Sequence, residues 1–168
     1  MTKYDLLKAL KEWLEALTAD WKQAQDVQPG DTERGISAPG IYRMRLPNAR
    51  HAAKYAPYII AQFLTGTAVQ RERQRTEVKA TVRFIFCVHN ENEEEGALDL
   101  LNLMELVERA LLENPFFNDY GYPFYLDREA GLEDLIYTDD TRPFYAGEIA
   151  ATFTLPETER NVNQWLRS

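Results

Sequence analysis

Cysteine is almost absent from this chain of 168 residues: Cys87 stands alone, so no internal disulfide can form and a disulfide-stapled scaffold is excluded. Histidine is scarce as well. His51 and His89 are the only two, and neither has a second histidine, cysteine or carboxylate at a recognisable metal-binding spacing. No apolar run is long enough to span a bilayer, and the charges at Lys3 and Asp5 do not fit a secretory leader. Neither the phosphate-binding loop signature nor the dinucleotide glycine fingerprint occurs, so nucleotide binding has no support. Acid is missing from one long stretch: between Arg34 and Arg71 there is no Asp or Glu at all.

Apolar residues, at 45%, are too abundant for wholesale disorder, and the length allows one domain with a real core. Charge is unevenly spread. Arg34 to Arg83 holds ten Lys/Arg against Glu72 and Glu77, a net of +8, while the remainder carries nine basic and twenty-five acidic residues, a net of −16. Such a split points to a polyanion-facing patch or to a surface that meets an acidic neighbour.

The strongest periodic signal begins at Val78. Val78, Ala80, Val82, Phe84, Phe86 and Val88 share one face of a strand, opposite Lys79, Thr81, Arg83, Ile85 and Cys87. The acidic run Glu91, Glu93, Glu94 and Glu95 precedes a helix expected from near Gly96, where negative charge complements the helix dipole. Ala97, Leu100, Leu101, Leu103, Met104, Val107, Leu111 and Leu112 cover roughly 200° of that helix, twice the stripe one core needs. Either the helix is sandwiched or one flank awaits another subunit. Thr2 and Asp5 open an N-terminal amphipathic helix bearing Leu6, Leu7, Leu10, Trp13, Leu14 and Leu17. Further strands are expected over Ile41–Leu46, Tyr58–Thr65, Tyr122–Leu126, Leu135–Tyr137 and Phe144–Leu155. The second of these joins the long strand through a hairpin with Arg71, Arg73 and Arg75 near its tip. The expectation is an α+β domain over 1–156: a mainly antiparallel sheet of four to five strands, flanked by an N-terminal helix and a long central helix. A long loop spans 18–40 and a C-terminal tail spans 157–168.

Catalytic patterns are fragmentary. Cys87 and His89 share a strand face without a third orienting group. Glu77 and Lys79 resemble the carboxylate-x-lysine half of a metal-dependent nuclease, without an acidic residue on an upstream paired strand. Asp139 and Asp140 lack the ligand pattern of a calcium loop. A single-strand binder using Tyr42, Tyr55 and the arginines is a further alternative. No catalytic residue, cofactor or metal is assigned. The candidate contact residues are instead Arg43, Arg45, Arg71, Arg73 and Arg75, the acidic Glu91, Glu93, Glu94 and Glu95, and the terminal anchor pair Trp165 and Leu166.

Three segments carry a family resemblance: Ala56–Gly66 (APYIIAQFLTG), Arg83–Val88 running through the acidic turn to Leu103, and Pro143–Glu148 closed by Phe153–Pro156. In this order they resemble the tail terminator, or tail completion, proteins of long-tailed bacteriophages and prophages. That resemblance implies an α/β subunit that closes into a ring, usually of six, on the head-proximal end of the tail tube. Such a ring stops tube polymerisation and presents a surface to the head connector. Its partners would be copies of itself, the tube protein and the connector, with DNA only in transit and no membrane. It would be made in the host cytoplasm and reside in the virion. A neighbouring neck or head-completion subunit is the alternative within the same class.

Overall fold

A computed structural model describes residues 1–21, 38–70, 75–120 and 123–156. The first helix, α1 (Lys3–Leu17), starts on a complete capping box: the Thr2 hydroxyl accepts from Asp5 N–H, and the Asp5 carboxylate accepts from Thr2 N–H at 2.8 Å. Leu6, Leu7, Leu10 and Leu14 are buried, as the helical spacing expects. The strands follow as β1 (Gly40–Arg43), β2 (Tyr58–Val69) and β3 (Glu77–His89), with a 3-10 turn over Ala49–Tyr55 between β1 and β2. Next come α2 (Glu93–Glu113), β4 (Tyr125–Leu126), β5 (Leu132–Ile136) and β6 (Phe144–Leu155).

The architecture is α+β, with a mixed and mostly antiparallel sheet in the order β1-β2-β3-β6-β4. β5 also pairs with β6, and because β3 fills the other side of β6 along its whole length, β5 and β4 share one edge. The opposite edge is β1. It runs parallel to β2, not antiparallel, with Gly40 opposite Tyr58 and Arg43 opposite Ala61. It also ends earlier than the alternation predicts, because Met44 adopts a left-handed φ of 64° and turns the chain away.

Other boundaries shift for local reasons. α2 begins at Glu93, three residues before Gly96, because the Asn92 side chain accepts from the N–H groups of Glu94 and Glu95. β2 continues past Thr65 to Val69, bending at an irregularity between Phe63 and Thr65 and then pairing with β3 down to Glu77. The strand expected over Leu135–Tyr137 starts instead at Leu132. The one expected over Tyr122–Leu126 is present as Tyr125–Leu126, with Tyr122 outside the described residues.

One hydrophobic core lies between the sheet and both long helices. Ala80, Val82, Phe84, Phe86 and Val88 of β3, with Ile149, Ala151 and Phe153 of β6, meet Leu6, Leu10 and Leu14 of α1 and Leu100, Leu103, Val107 and Leu111 of α2. Trp13 packs edge-on against Phe117 at 5.3 Å, and Phe117 stacks on Phe124 at 4.6 Å, which ties α1 to the segment that follows α2. α1 rests over β1 and β2, and α2 over β3 and β6. Two helices on one face leave the other face of the sheet uncovered by either.

Candidate functional site

The uncovered face is built by the alternate residues of the same strands. Its middle is a polar ladder running across the sheet. Arg83 donates to Gln62 Oε1 at 3.1 Å and to Glu148 Oε2 at 3.3 Å, and the Tyr137 hydroxyl donates to the same Glu148 oxygen. Burial, and then the neighbouring Glu148 carboxylate, push the Tyr137 phenol up to about 12. Nearer the hairpin end, Lys79 donates to Asp127 at 2.7 Å and sits 3.4 Å from Glu77, while the hydroxyls of Thr81 and Thr152 share a hydrogen bond of 2.9 Å. Arg83 and Lys79 on this face therefore each carry a carboxylate partner within the chain.

That geometry bears on each catalytic fragment. The Lys79 ammonium lies between Glu77 and Asp127, and the second Asp127 oxygen accepts from the N–H groups of Glu129 and Ala130, closing a turn. Among the described residues no three His, Cys, Asp or Glu side chains gather as a metal site. Cys87 is buried against Tyr58, and burial pushes its thiol up, away from the reactive thiolate form. His89 turns to Glu91 at 3.3 Å and to the Phe144 ring at 5.0 Å.

The candidate contact residues do not form one patch. Arg43 lies over the Tyr4 ring at 5.2 Å, and Arg45 is exposed beside it at the β1 edge. Arg75 precedes β3 at the hairpin end. Ala61, opposite Arg43, and Val69, opposite Glu77, are eight residues apart on β2, about 26 Å of strand. Arg71, Arg73, Trp165 and Leu166 lie outside the described residues, as does most of the 18–40 segment. Glu91, Glu93, Glu94 and Glu95 belong to the α2 N-terminus: Asn92 caps Glu94 and Glu95, and Glu93 pairs with Arg142, which also holds Asp140 at 2.7 Å. Their role in the fold is dipole complementation.

What the helical spacing announced as surplus is exposed. Leu101 and Leu112 remain 40% and 48% accessible on the outer flank of α2, in line with Glu105, Glu108 and Arg109, which border a shallow groove there. Leu98, at 56%, widens the stripe, while Phe116 (66%) and Tyr125 (44%) form a separate exposed ring pair 6.0 Å apart, beside Lys79, Asp127 and Thr154 on the sheet face away from the helices. Sequence reading missed these last three. Leu98 stood off the arc chosen for the core, and Phe116 follows the helix-stopping Asn114-Pro115 pair, where no period applies. It also missed that, among the described residues, β1 forms one sheet edge and β5, with the short β4, the other. No family model and no curated protein sequence matches the chain.

Proposed function

We propose that this chain is a structural assembly protein that closes into a ring on the head-proximal end of a bacteriophage tail tube, ending tube growth and offering a surface for head joining. The observation that carries this reading is the exposed apolar flank of α2, formed by Leu98, Leu101 and Leu112. Exposed leucines aligned on one helix flank and bordered by charge fit a protein-facing surface. The likeness to tail terminator proteins adds support from independent segments. Those segments are β2, the β3–α2 unit and β6, which together make the centre of the fold.

The open sheet face is compatible with a channel that DNA crosses. A wall studded with unpaired cations would hold passing phosphates tightly. Here Arg83 and Lys79 are each neutralised by a carboxylate of the same subunit. A neck subunit, also a ring at the head–tail junction, is the second reading, favoured by the same flank. The reading assigns no catalytic residue, cofactor or metal.

Electron microscopy of the purified full-length chain, alone and mixed with tail tubes, tests the proposal. Rings seated on one end of the tubes are the expected result. A protein that stays monomeric and leaves both tube ends bare would overturn it, and binding only to the portal side of filled heads would favour the neck reading.

A further inference from the structure

The two free edges of the sheet differ in charge. Around β1, residues 38–56 contain Arg43, Arg45, Arg50 and Lys54 and no acid. Around β5, residues 129–140 contain Glu129, Glu133, Asp134, Asp139 and Asp140 and no Lys or Arg. In the folded chain these stretches flank opposite ends of one sheet. Arg43, Arg45, Glu133 and Asp134 make no ion pair among the described residues, whereas Lys79, Arg83 and Arg142 do.

Both edges also present backbone groups, although at β1 the outward Arg43 carbonyl already accepts from Arg45 N–H at 2.7 Å. Gly40 and Met44 donate their N–H groups to Pro57 and Ala61, so alternation directs the N–H groups of Ile41 and Arg43 away from β2. Tyr137 donates to Ala146 at 3.0 Å, so Glu133 and Leu135 bond to β6 while Asp134 and Ile136 direct theirs outward. Among the described residues neither edge has a second strand beside it. Leu135 and Ile136, at 55% and 37% accessible, leave the β5 edge apolar as well as acidic. An open edge of this kind is a template for strand addition.

Resting on the ring reading, we infer that subunits join by sheet continuation, the β5 edge of one copy pairing with the β1 edge of the next. The occupant is a second copy because the complement of each edge is the other edge of the same chain. Self-pairing is disfavoured by charge: β1 against β1 sets Arg43 and Arg45 against their equals, and β5 against β5 does the same with Glu133 and Asp134. The contact is therefore heterologous, the type that generates rings when the rotation closes. Its sense follows from topology. β5 runs opposite to β6, while β1 runs with β2 and hence with β6. A rotation about an axis roughly along the strands preserves those directions, so β5 and the incoming β1 meet antiparallel. α1 of the incoming copy, seated over its β1 and β2, then comes to the same side of the joined sheet as the exposed flank of α2.

The test uses the full-length chain carrying Arg43→Cys and Asp134→Cys. Within one subunit these positions lie four strand spacings apart, about 19 Å, far beyond disulfide reach. Mild oxidation of the assembled protein should give a ladder of covalent multimers on denaturing gels. Either substitution alone, with the native Cys87 buried, should give none beyond dimers. In parallel, Glu133→Lys with Asp134→Lys, and Arg43→Glu with Arg45→Glu, should each weaken assembly by roughly tenfold or more, and mixing the two variants should restore it. Asp134→Pro should also block assembly without unfolding the subunit, because the N–H it removes points away from β6. Wild-type rings with no ladder and with normal assembly of both charge variants would overturn the edge contact and leave the ring reading standing. A ladder that grows without reaching a closed species of fixed mass would support the edge contact and overturn the ring. A wild-type chain with neither rings nor ladder would overturn both.

Discussion

Replacing Leu101 and Leu112 together by lysine separates assembly from folding. Fully burying a leucine contributes about 2 kcal/mol, and these two retain 40% and 48% of their surface exposed, so each has about 1 kcal/mol still to gain from a partner. The double variant forfeits about 2 kcal/mol at every contact it makes, which corresponds to a dissociation constant roughly 30-fold weaker. Holding two ammonium groups against an apolar partner surface adds to that loss. The fold itself should barely respond. Lysine is nearly as good a helix former as leucine, and substitutions at exposed positions stay within about 0.5 kcal/mol, a Tm change of about 2 °C or less for a chain of this size. Leu103→Ala is the matched control, because Leu103 is fully buried on the opposite face of the same helix. It should cost about 2–5 kcal/mol and lower Tm by roughly 5–20 °C. Sedimentation velocity and tube-end occupancy report assembly, and calorimetry reports stability. If the double lysine variant loses as much Tm as Leu103→Ala, the flank is enclosed within the subunit and the reasoning fails. It fails equally if assembly is untouched.

Gly147→Ala should destabilise the chain by about 1–3 kcal/mol, read as a lower urea midpoint. A Cβ there would lie 2.8 Å from the Leu135 carbonyl oxygen and 2.9 Å from Met104 Sδ, and only the methionine can yield easily. An unchanged midpoint would mean that β5 can move aside. The Asp127 carboxylate is held below the usual carboxylate range, first by Lys79 and then by the N–H groups of Ala130 and Glu129. Its folded pKa is depressed, so its contribution is complete above the unfolded value near 4 and is lost as pH falls through the lower folded value. Asp127→Asn keeps the turn acceptor and removes the charge. Urea midpoints measured from pH 7 to pH 3 should therefore fall less steeply on the acid side for the variant, and parallel curves would refute the linkage.

The strands with clear two-residue periods were legible in the sequence. β6 has the limits that its alternation and Pro156 predict, and every inward residue of β3 from Ala80 to Val88 is buried. The Thr2–Asp5 box was legible for the same reason: its chemistry is local. What was not legible depends on tertiary neighbours. β5 was expected only from Leu135; its first half, Leu-Glu-Asp, is poor in β-formers and joins the strand because β6 offers it an unpaired edge. The parallel sense of β1 is set by how the chain crosses through the Ala49–Tyr55 turn, which no period in β1 itself records. The start of α2 did leave a signal, since Asn92 stands three residues before Glu95 in the spacing of a capping box. The acidic run drew attention to charge instead of capping.

The charge split shows why position along the chain misleads. The net +8 of Arg34–Arg83 reads as one basic surface, yet its members part company on folding. Lys79 and Arg83 are neutralised on the open face by Asp127 and Glu148, residues from the acidic remainder. Arg43 and Arg45 stay at the β1 edge, a strand's length from Arg75. The acidic side divides too. Glu93 and Asp140 are tied to Arg142, whereas Glu133 and Asp134 remain unspent at the far edge. Folding thus pairs Lys79, Arg83 and Arg142 with carboxylates of the same subunit and leaves Arg43, Arg45, Glu133 and Asp134 without ion pairs among the described residues at the two edges. The sheet holds those edges about 19 Å apart, which is why the proposed contact calls on a second copy to bring them together.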